Sequence, residues 1–284
     1  MDQARPSRSA LRVAMRRAAH QLFDAPPLVL NDPIAVPILG PYAEELQRTP
    51  GRNPSHKPRP WSIGLRAFLV ARSRYTEDLL AQAVACGATQ YVLLGAGLDT
   101  FAHRNPFPHL RVFEVDHPAT QQWKRDLLAN ANLPFPTRLT YVPVDFERQS
   151  LPEQIHTAGL DSAAPSLFAW LGVVPYLSLE TFRSTLAFIA SQPLGSGVVF
   201  DYGQPRAALP PLEQLAYDSL ASRVQLAGES FRLFITPTEI ATEIAAFRSI
   251  EDLGTPEINA RYFANRTDDL RVMGSAGRIV SAWL

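Results

Sequence analysis

The chain has 284 residues, of which 46% are hydrophobic and 19% charged, and its formal net charge is zero. This length and composition fit one large α/β domain with a sizeable core, and the neutral balance gives no basic footprint for nucleic acid. No apolar run approaches the roughly 18 residues of a membrane span, and the arginine-rich start lacks the apolar segment of a secretory signal.

The first part of the chain predicts helices separated by a proline-rich segment. Residues 10–24 fit one helix, whereas the prolines of 26–40 prevent that stretch from forming one regular helix. A long helix is predicted from Ser62 to Ala85, with Ser62 as its cap and Gly87 closing it. The single cysteine, Cys86, cannot form an internal disulfide, which favours a reducing, cytoplasmic compartment. We expect it to be a small buried residue.

The middle of the chain alternates strongly apolar strands with helices. Such alternation indicates a parallel sheet covered by helices on both faces. The predicted strands are 90–95, 111–116, 139–145, 165–171 and 197–202, and the clearest helices between them are 118–130 and 178–191.

The pattern changes after the fifth strand. A helix is predicted over 211–227, followed by a short strand beginning "SFRLF", a helix capped near Thr236 or Thr238, and a strand in "RSIEDLG". The last strand is predicted in "AGRIVSAWL". We expect one catalytic domain over 1–284, made of an N-terminal helical or lid extension (1–60), a cofactor-binding core (62–203), an acceptor-side insertion (204–235) and the C-terminal part of the sheet (236–284).

The stretch "YVLLGAGLDTFAHR" predicts a strand that ends in a ligand-binding glycine turn. It is not a P-loop, because the chain has no GxxxxGK[ST] string. The dinucleotide fingerprint GxGxxG is incomplete, since Thr100 takes the place of the third glycine after Gly95 and Gly97. A ligand with an adenosine and no phosphate, S-adenosylmethionine, fits this turn better.

Acidic residues end the next two strands. Asp116 in "FEVDHP" lies 19 residues after Gly97 and can accept from both ribose hydroxyls. Asp145 in "VPVDFE" can accept from the adenine amino group while Phe146 packs on the ring. The alternatives are that Asp116 caps the helix that starts near Pro118 and that Asp145 is a turn residue.

Several strings in this order resemble the leucine carboxyl methyltransferase family, and more closely its bacterial branch of S-adenosylmethionine-dependent methyltransferases, which includes polyketide O-methyltransferases. They are "HQLFDAPPLVLNDPIA", "ARSRYTEDLL", "YVLLGAGLDTFAHR", "FEVDHPATQQWKRDLL", "YVPVDFE" and "FAWLGVVPYLSLETF". The similarity covers roughly Arg17 to Tyr202. It implies a class I methyltransferase fold, a Rossmann-like seven-stranded mixed sheet with helices on both faces, and an N-terminal helical extension.

The resemblance also implies a set of cofactor contacts. Arg72 is similar to the family's arginine beside the cofactor carboxylate, and a guanidinium matches a carboxylate bidentately. The alternative for Arg72 is a surface helix residue, and its neighbour Arg74 is expected to pair with Asp78 along the helix. The full set of cofactor-binding candidates is Arg72, Gly95, Gly97, Asp116, His117, Asp145, Phe146 and Trp170.

The sequence departs from the eukaryotic family pattern after the fourth strand, where an acid precedes a small residue. Leu171 stands at that position, which puts a protein leucine-carboxyl substrate in doubt. Tyr176 is similar to the tyrosine of the same motif and is a candidate for the reaction centre. The alternative is that Tyr176 is an amphipathic residue at a helix entrance.

Methyl transfer mainly requires an aligned nucleophile and exclusion of water. A carboxylate acceptor needs no base, whereas a hydroxyl usually does. Candidate bases are His20, His103 and His117, although loop and helix-start histidines are usually structural. No HxH or HxxxH pair suggests a metal, so we expect a metal-independent enzyme.

The leading hypothesis is O-methylation of a carboxyl or hydroxyl group on a small molecule. Its alternatives are a nucleotide-dependent oxidoreductase and a non-catalytic S-adenosylmethionine-binding protein. Apolar residues in the acceptor-side insertion favour an apolar or aromatic acceptor; they are Leu209, Leu212, Leu215, Tyr217 and Leu220.

Overall fold

The computed structural model describes residues 7–48, 60–145, 149–225 and 230–284. In this part of the chain the strands form one seven-stranded mixed sheet, as the sequence predicted. They are β1 (Gln90–Leu94), β2 (Arg111–Asp116), β3 (Leu139–Pro143), β4 (Ser166–Trp170), β5 (Gly197–Gly203), β6 (Ser249–Leu253) and β7 (Gly277–Trp283).

The spatial order of the strands is β3-β2-β1-β4-β5-β7-β6. The first five are parallel to one another, and β7 runs antiparallel to both β5 and β6. The chain crosses over between the adjacent strands β1 and β4. Ligands bind at such a crossover, outside the carboxyl ends of the strands.

Ten α-helices lie around this sheet in the described residues. They are α1 (Arg8–Phe23), α2 (Tyr42–Arg48), α3 (Pro60–Ala85), α4 (Phe101–Arg104), α5 (Pro118–Asn130), α6 (Leu151–Thr157), α7 (Leu179–Ala190), α8 (Pro211–Gln225), α9 (Pro237–Glu243) and α10 (Thr255–Tyr262). None of the described helices is long and apolar enough to cross a membrane.

Local sequence explains where several helices begin and end. The side chain of Ser7 caps α1 by accepting from the Ala10 N–H. Thr236 and Glu239 form a reciprocal capping box at the start of α9, which confirms the expected cap. Gly87 ends α3 with φ +102°, and the Ala88 N–H bonds to the Ala83 carbonyl in a Schellman arrangement.

The two faces of the sheet bury different clusters because successive side chains of a strand point to opposite faces. In β4, Phe168 and Trp170 pack with Phe182 and Phe200 on one face. Ala169 belongs to the cluster on the other face, beneath α3. A third cluster joins α1 and the proline-rich segment to α5.

Four expectations about local structure were wrong. The long helix begins at Pro60, so Ser62 lies within it rather than capping it. Cys86 is exposed, because it follows the last residue of α3 at the surface. Leu212 and Leu215 were expected to favour an apolar acceptor, but they are 69% and 66% exposed on α8 and do not line the cavity at the carboxyl edge of the sheet.

The fourth concerns the segment that begins "SFRLF", which does not form a strand. Its backbone N–H groups donate to carbonyls of two other segments instead of forming a ladder with a neighbouring strand. Arg232 and Leu233 donate their N–H groups to the Pro175 carbonyl, and Ile235 donates to the Gly203 carbonyl.

Candidate functional site

A cavity of about 1940 Å³ opens at the carboxyl edge of the sheet, between the strand ends, α1, α3 and α8. Small-molecule pockets usually measure roughly 300–1,000 Å³, so this cavity has room for a cofactor and a second molecule. Its lining includes the glycine turn after β1, acidic residues at the strand ends and aromatic residues of the acceptor-side insertion.

The turn after β1 brings the backbone close to the cavity. Gly95 and Gly97 have φ values of +70° and +51°, which side chains rarely tolerate. A Cβ on Gly95 would collide with the side chain of Val173, and one on Gly97 would lie 3.1 Å from the Cβ of Ala10 in α1. The turn therefore has a steric need for both glycines and forms a cradle beneath the cavity.

Asp116 ends β2 beside this turn. Its Oδ2 accepts from the Gly97 N–H at 2.5 Å, and its Oδ1 accepts from the His117 N–H at 2.6 Å. Burial raises the pKa of Asp116, and the two N–H groups oppose that rise. The helix-cap alternative for Asp116 is wrong, because His117 is the cap and its Nδ1 accepts from the Ala119 N–H at 3.2 Å.

Asp145 follows β3 and also lines the cavity. Its backbone exchanges hydrogen bonds with Gln149: the Asp145 N–H donates to the side-chain Oε1, and the Gln149 N–H donates to the Asp145 carbonyl. The expected partner Phe146 lies outside the described residues. The structure thus brings five of the predicted residues into the lining of one cavity: Gly95, Gly97, Asp116, His117 and Asp145.

Arg72 of α3 also lines the cavity. Its Nη1 donates to Oδ2 of Asp201 at 2.7 Å, and both side chains are largely buried. The surface-helix alternative for Arg72 is therefore wrong, whereas Arg74 forms the expected exposed pair with Asp78 at 2.7 Å. Sequence reasoning missed Asp201, although an acid at the end of the fifth predicted strand was a usable signal.

Three candidates lie away from the cavity. Trp170 is fully buried and stacks on Phe182 with ring centroids 5.5 Å apart, because its position in β4 points to the opposite face from Ala169. His103 is beside α5 and does not line the cavity. Burial, with the nearby Lys124 charge, lowers its pKa to about 4.

His20 is the third of these candidates. It is buried in α1, where its Nδ1 lies 2.8 Å from Oδ2 of Asp24 and its Nε2 accepts from the Leu30 N–H. We therefore remove Trp170 from the cofactor contacts and remove His103 and His20 from the candidate bases.

A buried ionic network, also missed from the sequence, joins α1 to the glycine turn. The guanidinium of Arg17 lies 2.7 Å from a carboxylate oxygen of Asp32 and 2.7 Å from one of Asp99. Thr100, which stands where the third glycine was expected, donates from Oγ1 to Asp32 at 2.7 Å. Asp32 lies in the string "HQLFDAPPLVLNDPIA", whose similarity to the family was a signal that could have pointed to it. The network fixes α1 over the turn.

Aromatic rings also line the cavity. Tyr176 packs against Phe231 with centroids 5.2 Å apart, Phe231 against Phe234 at 5.9 Å, and Phe234 against Tyr217 of α8 at 5.4 Å. The Tyr176 hydroxyl donates to Ser9 Oγ at 3.3 Å. We call these four residues the aromatic wall.

No group of three or more His, Cys, Asp or Glu side chains that could hold a metal ion occurs in the described part of the chain. The site offers a glycine turn, carboxylates, two buried arginines (Arg17 and Arg72) and the aromatic wall.

Comparison with known proteins gives a consistent picture. The model of the leucine carboxyl methyltransferase family matches residues 10–190. The Bacillus subtilis protein YktD, whose name describes an S-adenosyl-L-methionine-dependent methyltransferase, is 33% identical over 291 residues, which cover 93% of each chain. A similarly named Streptomyces coelicolor protein, SCO7813, is 34% identical over 160 residues, covering 54% of this chain and 56% of its own.

Solved structures share the fold at low sequence identity. A Thermobifida fusca structure titled as a methyltransferase has a TM-score of 0.57 at 17% identity and covers 99% of this chain and 96% of its own. A DUF574 family protein from Streptomyces avermitilis has a TM-score of 0.54 at 20% identity, covering 79% of this chain and 85% of its own.

Proposed function

Since the chain belongs to the leucine carboxyl methyltransferase family, we propose that it methylates an oxygen of a small apolar or aromatic molecule, and a carboxyl oxygen in particular. The protein is an S-adenosylmethionine-dependent methyltransferase. The acceptor and the roles of individual residues belong to the proposal. The observation that carries it is the aromatic wall, which lies in the same cavity as the glycine turn.

The residues at the strand ends fit the cofactor. Gly95 and Gly97 line the cavity, and their positive φ values let the turn bring its backbone to a bound ligand. Asp116 lies where it can accept from ribose hydroxyls, and Asp145 lies one strand further, where it can accept from an adenine amino group. Arg72 supplies a cation for the carboxylate of the methionine end.

Bound S-adenosylmethionine supplies a methyl group that its sulfonium already activates. The protein then has to hold the acceptor in line and exclude water. The aromatic wall does this with apolar surface, and α1 covers the glycine turn through the Arg17 network. These roles need no metal ion, and the independence of metal stays a prediction.

Two features of the cavity lining support a carboxyl acceptor over a hydroxyl. Among its described lining residues the one histidine is His117, whose Nδ1 is engaged as the cap of α5. A carboxylate is ionised at neutral pH and needs no base. Arg232, next to Phe231 in the wall, has no ion pair among the described residues and can attract an anionic acceptor.

The test is transfer of a labelled methyl group from S-adenosylmethionine to a panel of aromatic and aliphatic carboxylic acids and matched phenols. Methyl esters hydrolyse in mild alkali and release labelled methanol, whereas aryl methyl ethers survive. We expect alkali-labile product from the acids. Alkali-stable product from the phenols alone would show that the enzyme methylates hydroxyl groups.

Two variants compare the effect of a change in the aromatic wall with that of a change elsewhere on the protein surface. Phe234→Ala should raise the KM for the acceptor severalfold and leave the affinity for S-adenosylhomocysteine unchanged. Phe135→Ala is the matched control, since Phe135 is 60% exposed and does not line the cavity. Equal effects of the two substitutions would contradict an acceptor site at the aromatic wall.

The neutral net charge supports a small-molecule acceptor over nucleic acid. The single cysteine supports a reducing, cytoplasmic location.

A further inference from the structure

Asp201, at the end of β5, is a buried carboxylate on the wall of the cavity. It is 6% exposed, and both of its oxygens are engaged: Oδ1 accepts from the Gly172 N–H at 2.6 Å and Oδ2 accepts from Arg72 Nη1 at 2.7 Å. A carboxylate has about four acceptor sites. Two of them remain for a ligand.

The guanidinium and this carboxylate stand side by side. Gly172 has φ +73°, and a Cβ there would lie 2.8 Å from Nη2 of Arg72. The arginine therefore lies directly over the backbone that follows β4, and only a glycine leaves it that space. Nη2 and Nε of Arg72 have no hydrogen bond among the described residues, so they can donate to a ligand.

Together the pair presents one positive and one negative charge on the wall of the cavity. A ligand with an adjacent ammonium and carboxylate, an α-amino acid zwitterion, complements such a pair without leaving a buried charge unpaired. The methionine end of the cofactor carries these two groups.

We propose that Asp201 accepts a hydrogen bond from the α-ammonium of the cofactor while Arg72 binds the α-carboxylate. The proposal rests on the cofactor and on the part of the proposed function that assigns Arg72 to its carboxylate, and it is independent of the acceptor. Because Oδ1 of Asp201 lies against the N–H of Gly172, the acid from β5 occupies the neighbourhood of Leu171, where the chain has no acid of its own.

The test measures calorimetric affinities of the wild type and Asp201→Asn for three ligands. These are S-adenosylhomocysteine, its deaminated analogue 5′-S-(3-carboxypropyl)-5′-thioadenosine, and 5′-methylthioadenosine, which lacks both charged groups. Asn keeps the shape of Asp201 and an oxygen for Gly172. We expect the substitution to weaken S-adenosylhomocysteine binding by at least about tenfold and to leave the other two affinities within about threefold.

An equal loss for S-adenosylhomocysteine and the deaminated analogue would overturn the proposal, because Asp201 would then act only by orienting Arg72. Unchanged affinity for all three ligands would overturn it as well. If Asp201→Asn does not bind 5′-methylthioadenosine, its site is disturbed, and Asp201→Ser is measured with the same ligands and the same criteria.

Asp252→Asn is the matched control. Asp252 also pairs with an arginine at the sheet, since its Oδ1 accepts from Arg278 Nε at 3.0 Å, but it does not line the cavity. Its substitution should leave the three affinities unchanged. None of these measurements needs a methyl acceptor, so a failed acceptor screen would count against the proposed substrate and not against this subsite.

Discussion

The carboxylate of Asp116 accepts the backbone N–H of Gly97 at 2.5 Å, which fastens the end of β2 to the turn after β1. The same carboxylate lines the cavity, and we propose that its remaining acceptor sites meet the ribose. Its removal should therefore disturb ligand binding more than folding.

We expect Asp116→Ala to weaken S-adenosylhomocysteine binding by about 2–4 kcal/mol, because charge-assisted hydrogen bonds contribute roughly 1.5–3 kcal/mol each and water replaces part of them. Calorimetry gives the affinity, and urea unfolding without ligand gives the stability. The control is Ser178→Ala, which removes the cap of α7 outside the cavity and should cost about 1 kcal/mol of stability with no loss of affinity. If the two variants behaved alike, Asp116 would have no binding role.

Gly95→Ala should lower both stability and cofactor affinity. The added methyl meets Val173, and a non-glycine residue in the left-handed region costs about 1–2 kcal/mol. Gly87→Ala has the same kind of strain at φ +102° but no atom within 4 Å of the new Cβ. Thermal unfolding should show a loss for both variants, and calorimetry a loss of affinity for Gly95→Ala alone. Normal binding by Gly95→Ala would show that the ligand does not approach this turn.

Arg17→Met should destabilise the protein by about 3–5 kcal/mol, because it leaves the carboxylates of Asp32 and Asp99 without their buried partner. Arg74→Met breaks an exposed pair on α3 and should change the free energy of unfolding by less than about 1 kcal/mol. Denaturant titrations of both variants test this. A small loss for Arg17→Met would mean that α1 is not held through this network.

His103 should make the protein acid-sensitive. Its pKa is lowered to about 4 in the folded protein, mainly by burial, whereas it is about 6.5 in an unfolded chain. The unfolded state then binds more protons, so the contribution of His103 to stability is present above about pH 6.5 and is lost as the pH falls towards 4. His103→Gln should therefore lose less stability than the wild type over this window.

The wild type alone does not isolate His103, because Glu114 also titrates in this range. Burial raises the pKa of Glu114 to about 7. The free energy of unfolding therefore falls as the pH rises from about 4.5 to 7, which opposes the effect of His103 and makes the comparison with His103→Gln necessary. If the free energies of unfolding of the two proteins changed by the same amount between pH 6.5 and 4, His103 would not be a partly buried, neutral residue in the folded protein. Methyl transfer at neutral pH should survive in His103→Gln, since the residue lies outside the cavity.

The sequence predicted what local patterns determine. Strand and helix alternation predicted the parallel sheet. Gly95, Asp116 and Asp145, each at the carboxyl end of its strand, line one cavity, and their contacts with the cofactor stay a prediction. It was harder to predict from the sequence which face of the sheet a side chain points to. Trp170 was assigned to the site by its position near the end of β4, but the alternation of that strand turns it into the core.

Ion pairs between residues far apart in the sequence could not be predicted from local patterns. Asp201 and Arg72 are 129 positions apart, and Arg17 and Asp99 are 82 apart.

The stretch "SFRLF" looks like a strand, but the carbonyls of Pro175 and Gly203 accept its backbone hydrogen bonds. Cys86 follows small and apolar residues, yet it falls just beyond the end of a helix whose buried side lies elsewhere.

The place of β7 between β5 and β6 has a consequence for synthesis. The ribosome releases β6 before β7, yet β6 pairs with the sheet only through β7. A nascent chain that has reached β6 therefore carries β5 as an open edge, with Val198, Val199 and Phe200 in it. Open apolar edges pair with other chains. We expect fragments that stop before Gly277 to aggregate and to depend on chaperones, whereas extension through Trp283 closes the edge.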